Sequence, residues 1–241
     1  DMGVGVIYLN PIFRAYSNHK YDTGDYLEVD SMFGGNEALE ALIEKANELD
    51  IKIILDGVFN HTGDNSLYFD RYGEYGGSGA YSDKSSHYRG WYSFDSKGDK
   101  YECWWGIKIL PRLNHENESC RRFFTAEDGV GAYYIKQGVA GWRLDVADEL
   151  PDEFLDKLNT CVKSEKSDAV IIGEVWEDAS NKLAYHKRRR YLLGGQLDSV
   201  MNYPFREAII NFVKGGLARD FIYSIMTILE NYPKPSIDVL M

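Results

Sequence analysis

The chain has 241 residues, 44% of them apolar and 14% aromatic, and its 27 Lys and Arg against 38 Asp and Glu give a formal net charge of −11. That length suits one large domain, the apolar share argues against disorder or collagen-like repeats, and the acidity argues against a phosphate-backbone footprint, so no nucleic-acid partner is expected. The three cysteines, Cys103, Cys120 and Cys161, are widely spaced and signal neither a disulfide framework nor a zinc site, leaning weakly to a reducing, cytoplasmic setting, and no apolar run approaches a membrane span.

The chain opens on Asp1-Met2-Gly3-Val4 with no start residue or leader before a strand-like run, as a piece of something longer would. Residues 4–9 (VGVIYL) form an apolar run stopped at Asn10-Pro11, the pattern of a buried parallel strand. A helical face of Leu39, Leu42, Ile43, Ala46 and Leu49, with Asn36 placed to cap it, leads to a second strand at 51–55 (IKIIL) and completes a βαβ unit. The rhythm then breaks. Residues 62–108 hold eight Gly, seven Tyr and three of the five Trp, too long a stretch for a structureless loop, so a small inserted subdomain is expected, its aromatics forming a binding wall.

Strand patterns resume at 139–145 (VAGWRLD), 169–175 (AVIIGEV) and 197–201 (LDSVM). Between the first two lies a helix with Pro151 in its first turn and Phe154, Leu155, Leu158, Cys161 and Val162 on one face. The basic run Lys187-Arg188-Arg189-Arg190 reads as a solvated helix face. Helical segments at 203–213 and 217–231, divided by Gly215-Gly216, precede another strand start at 237–241. Strands alternating with amphipathic helices predict an α/β fold with a parallel sheet and helices outside it, and five strands are readable.

In such folds chemistry sits at the carboxyl ends of the strands. Asp56 with Asn60 and His61 closes one strand, Arg143 and Asp145 the next, and Glu174 with Trp176 the one after. Carboxylates on successive strand ends suit either Mg²⁺-dependent enolase-like lyases or retaining glycosidases. Arg143, two residues before Asp145, shares its face; a fixed cation there competes with a divalent metal but keeps a nucleophilic carboxylate ionised, which favours the glycosidase.

The segments Asp56-Gly57-Val58-Phe59-Asn60-His61, Gly141-Trp142-Arg143-Leu144-Asp145 and Gly173-Glu174-Val175-Trp176 resemble, in order and spacing, three signature regions of the α-amylase family, glycoside hydrolase family 13. Gly5 to Pro11 is similar to the family's second-strand signature, and His19-Lys20-Tyr21-Asp22-Thr23-Gly24-Asp25-Tyr26 to the substrate-facing stretch after it. Leu110-Pro111-Arg112-Leu113-Asn114 is similar to a motif of the neopullulanase, cyclomaltodextrinase and maltogenic amylase branch.

The resemblance implies a (β/α)8 TIM barrel present here only from about its second to its sixth strand. Residues 1–61 and 113–241 would form the barrel part, and 62–112 an inserted domain B after the third strand. It implies Asp145 as nucleophile, Glu174 as general acid/base, Arg143 holding Asp145, and Asp56 bracing the site. His61 would bond a sugar hydroxyl, Tyr21 would stack on the same sugar, Trp176 would line the acceptor side, and Asp148-Glu149 would bear on the acceptor subsites.

Relatives often bind Ca²⁺ near domain B, but Asp64, Asp70, Asp83, Asp95 and Asp99 form no convincing ligand set, so no metal or other cofactor is expected. The family's further catalytic Asp, in an N-H-D-type motif, is absent from this chain. The expected activity is therefore retaining hydrolysis of α-glucosidic bonds in starch-derived oligosaccharides, cyclodextrins or pullulan. It would be exercised with the remainder of a parent polypeptide, the fragment being inactive alone. A non-catalytic carbohydrate-binding homologue is the alternative from another class, and the Mg²⁺-dependent barrel lyase is a third.

Overall fold

The structure, a computed structural model, describes residues 3–241. Asp1 and Met2, at the head of the strand-like opening run, lie outside the described residues. Strand β1 (Val6–Leu9) stops before Pro11, and the chain doubles into an antiparallel pair, β2 (Phe13–Ala15) and β3 (Thr23–Val29). Helix α1 (Gly35–Glu48) returns to β4 (Lys52–Gly57). After the insertion come α2 (Glu118–Thr125), α3 (Val130–Lys136) and β5 (Gly141–Leu144). Helix α4 (Asp152–Glu165) leads to β6 (Val170–Gly173), then to a hairpin of β7 (Leu183–Ala184) and β8 (Lys187–Arg188), and to β9 (Ser199–Val200). Helices α5 (Tyr203–Val213), α6 (Ala218–Asn231) and α7 (Lys234–Asp238) follow.

The sheet order is β1-β4-β5-β6-β9 and every pair in it is parallel, so the five predicted strands are the five sheet strands. β5 and β6 pack closely at their start: a Cβ on Gly141 would lie 2.2 Å from the Val170 carbonyl oxygen, so only glycine fits there. Trp142 is fully buried among Phe13, Phe59 and Tyr134, and its indole N–H donates to the Gly131 carbonyl at 3.0 Å. This aromatic core lies under β4 and β5, which makes their carboxyl ends rigid points on which to mount a site.

Several expectations are corrected. Asn36 does not cap α1. Its side chain accepts from the Val29 N–H at 2.7 Å and donates to the Leu27 carbonyl at 3.0 Å, tying β3 down, while Gly34 with φ 94° begins the helix. Of the predicted α1 face, Leu39, Ile43 and Ala46 are buried but Leu42 and Leu49 are exposed. The 187–190 run is not a helix face: Lys187 and Arg188 form β8, and Arg189 is buried, donating to the Leu150 carbonyl at 2.7 Å. Residues 237–241 do not begin as a strand, because α7 runs to Asp238; strand-like hydrogen bonding starts only at Met241, whose N–H donates to Val200 and whose carbonyl accepts from Asn202.

Helices α2 and α3 escaped the sequence reading because eight and seven residues give too few turns for an apolar period to register.

The insertion is built differently from the expected binding wall. Phe69 packs against Tyr92, Phe94 and Tyr101, and Tyr68 stacks on Trp91. These rings are the core of a stretch poor in aliphatic residues and continuous with the main core. Trp104 and Trp105 alone among its tryptophans turn toward the strand ends, stacked on each other at 5.1 Å.

Candidate active site

Parallel register sets Asp56 of β4 beside Arg143 of β5, and Asp145 and Glu174 follow directly after β5 and β6. Backbone bonds continue the ladder past the strands: the Asp145 N–H donates to the Gly57 carbonyl at 3.1 Å and the Glu174 N–H to the Leu144 carbonyl at 2.9 Å. Three adjacent strands therefore place their polar ends at one spot.

Arg143 is the hub. Its Nη1 lies 3.0 Å from Asp56 Oδ2 and 3.0 Å from Asp145 Oδ1, and its Nη2 lies 3.0 Å from Glu174 Oε1. Asp56, Arg143 and Asp145 are all buried. One guanidinium thus faces three carboxylates, and the group cannot ionise fully without leaving uncompensated negative charge out of water. Burial pushes Asp56 up to about 6 against the pull of Arg143. Burial and the neighbouring Asp56 push Asp145 up to about 8. The cluster accordingly retains a proton near neutrality, held as a unit.

Glu174 is shifted the other way. Burial acts to raise its carboxyl, but Arg143, the Val146 N–H at 2.9 Å, the Trp176 indole at 3.1 Å and the Tyr203 hydroxyl at 3.0 Å outweigh it and hold it below its ordinary value. The surroundings thus push the two carboxyls apart, Asp145 up and Glu174 down. Val146 carries its N–H there on left-handed backbone, φ 40° and ψ 55°, a rare conformation for a β-branched residue directly after the candidate nucleophile.

Tyr203 gives a direct check. Tyr203→Phe removes one donor to the ionised form of Glu174, so its pKa rises. An acid catalyst must hold its proton, so the alkaline limb of kcat/KM is expected to move to higher pH, as a pH–rate profile of the variant would read.

The other predicted residues join the same place. Tyr21 directs its hydroxyl to Asp56 Oδ2 at 3.4 Å, and Trp176 stands half exposed beside Glu174. His61 is buried against Trp104, ring centroids 5.5 Å apart, with Nδ1 3.1 Å from the Asn60 amide and Nε2 without a partner among the described residues. Burial lowers its pKa to about 4, so the ring is neutral and Nε2 is a buried, unpartnered nitrogen.

Sequence reasoning missed Tyr8, whose hydroxyl donates to Asp56, and Tyr203, one of the donors to Glu174. Tyr8 lies in the second-strand signature Gly5–Pro11, and its period-two spacing could have marked it; nothing local marks Tyr203.

The five aspartates weighed as Ca²⁺ ligands are not gathered. Asp64 takes Arg71 and Tyr72, Asp70 accepts the Tyr75 and Gly77 N–H groups, Asp83 accepts Ser85, and Asp95 accepts the N–H groups of residues 98–100. Among the described residues no cluster of three or more His, Cys, Asp and Glu is placed to hold a metal ion.

Comparison with known proteins returns the family description "Alpha amylase, catalytic domain", matched over residues 1–233. The chain is 40% identical over 265 aligned residues to an amylopullulanase of Thermoanaerobacterium thermosulfurigenes, covering 98% of this chain and 14% of that one. It is 38% identical over 216 residues to neopullulanase 2 of Thermoactinomyces vulgaris, covering 90% and 35%. Among solved structures, the ligand-free cyclic α-maltosyl-(1→6)-maltose hydrolase of Arthrobacter globiformis matches with a TM-score of 0.85 at 29% identity, covering 97% of this chain and 50% of that one. The chain thus spans half or less of the length of these relatives.

Proposed function

We infer, from the premise that the chain belongs to the alpha-amylase family, that it carries the nucleophile and the acid/base of a retaining glycosidase acting on α-glucosidic bonds. The observation that carries this reading is Arg143 within 3.0 Å of all three carboxylates. The guanidinium fills the place a divalent ion would need, which disfavours the lyase, and it supplies the fixed cation a nucleophilic carboxylate needs.

Glu174 protonates the leaving oxygen while Asp145 attacks the anomeric carbon, and the electrons of the glycosidic bond go to that oxygen. Glu174 then takes a proton from water, whose oxygen displaces Asp145 and restores the free carboxylate. In the first step Glu174 carries the proton and Asp145 is ionised against Arg143. Asp56 braces Arg143, Tyr21 offers a face to the sugar, His61 Nε2 bonds a hydroxyl, and Trp176 lines the acceptor side. No metal or cofactor takes part.

The five parallel strands form part of an eight-stranded barrel, made by residues 1–61 and 113–241, with 62–112 as the inserted domain B. The substrates are α-glucans of the kind the relatives' names point to, malto-oligosaccharides, cyclic maltosides or pullulan, turned over when further polypeptide closes the barrel. Product analysis by proton NMR tests this. The complete polypeptide should release the α-anomer first and the 241 residues alone should release nothing; a β-anomer, or turnover by the isolated chain, would count against the respective claim.

A further inference from the structure

Three distant segments converge on a single oxygen beside this site. Glu149 Oε1 accepts the Trp105 indole N–H at 3.1 Å and the Tyr185 hydroxyl, from positions 44 and 36 residues away in sequence. Glu149 ends the short turn that follows Asp145, Trp105 comes from the insertion, and Tyr185 stands at the tip of the β7–β8 hairpin.

Both donors sit on backbone that non-glycine residues avoid. Trp105 has φ 50°, and Tyr185 and His186 have φ 51° and 63°, the two positive angles of a tight hairpin turn that ordinarily takes Asn-Gly. Bulky residues kept in such a turn, with one of them donating to a carboxylate, mark it as held for a purpose beyond reversing the chain.

Glu149 lines a cleft of about 270 Å³ together with Glu174, Trp176, Lys182, Trp105 and Tyr185. The cleft opens on the Glu174 side, where the departing part of the substrate must lie. Lys182 is already engaged by Asp148 at 3.0 Å and by Glu177. Two donors occupy Glu149 Oε1, so a hydroxyl entering the cleft meets Glu149 at Oε2. Carboxylate acceptors between indole and phenol faces suit a sugar ring, whose hydroxyls donate and whose C–H face stacks.

We propose that Tyr185 is a positioning residue which, with Trp105, locks Glu149 to receive the sugar on the leaving side, making the 183–188 hairpin a wall that selects the leaving group. This rests on the glycosidase reading above and assigns the hairpin its part in it.

The test uses the complete polypeptide and two substrates: maltohexaose, which puts a sugar in the cleft, and p-nitrophenyl α-maltoside, cut so that p-nitrophenol leaves. Tyr185→Phe should lower kcat/KM on maltohexaose about tenfold, mainly through KM, and leave the aryl maltoside within about twofold. Trp105→Phe, which removes the other donor, should give the same split. Equal losses on both substrates, or none on either, would overturn the assignment while leaving the glycosidase intact. A wild-type protein that cleaves neither would overturn both.

Discussion

Asp145→Asn is expected to lower kcat of the complete polypeptide on maltotriose by about 10⁴-fold or more, with the fold unaltered. The amide is close to isosteric and its carbonyl oxygen can still accept the Arg143 Nη1 bond seen at 3.0 Å, so the packing around the hub survives. What is lost is the negative charge that attacks the anomeric carbon. Stability separates this from simple damage. Asp145 is raised to about 8 in the folded chain, chiefly by burial, from an ordinary value of 3.8. Such a group stabilises fully below its unfolded value and loses that contribution as pH rises through its folded one. Asparagine does not titrate, so the variant should melt no lower than wild type at pH 8–9. Thermal unfolding beside steady-state kinetics reads both effects; activity within tenfold of wild type would remove Asp145 from the reaction.

Arg143→Met should cost about 3–5 kcal/mol of stability at pH 8 by denaturant unfolding, the range for stripping the partner from buried charges. The loss has a diagnostic pH dependence. Without the guanidinium, Asp56, Asp145 and Glu174 keep their desolvation and lose the cation that all three share, so their folded pKa values rise. Raised carboxyls destabilise only where they must ionise, so the deficit is largest above pH 8 and shrinks as pH falls toward 4. At the acid end the order can invert, because wild type then buries Arg143 beside neutral acids. A deficit of equal size at pH 4 and pH 8 would mean that Arg143 contributes packing alone. Catalysis should be lost in the same variant, since Asp145 and Glu174 both take their charge balance from that side chain.

Much of the architecture was legible because it is local. The inner strands β4, β5 and β6 are largely buried on both faces and read as near-continuous apolar runs, as at 53–55 and 169–173, and α1 and α4 are long enough for their apolar period to stand out. Short elements were not legible. β2, β3, α2 and α3 are held by contacts far along the chain, such as the Tyr134 hydroxyl on the Tyr26 carbonyl across 108 residues. Propensity also misled where a side chain found a tertiary partner: Asn36 looked like a cap until β3 claimed its amide, and Arg189 looked solvated until the carbonyl of Leu150 claimed its guanidinium.

The same division runs through the site. By itself the sequence determined which residues would meet: acids and a base ending successive parallel strands must share one edge of the sheet, since register and period-two alternation are properties of the backbone. Tertiary structure alone decided their charge states. Arg143 reads in sequence as the partner of Asp145, yet in space it is divided among three carboxylates; burial and the neighbouring Asp56 raise Asp145 against its pull, while Arg143, the Val146 N–H, Trp176 and Tyr203 lower Glu174. Proximity along a strand follows from covalent geometry. A pKa depends on the burial and the summed field of every neighbour, and those neighbours are brought in by the fold.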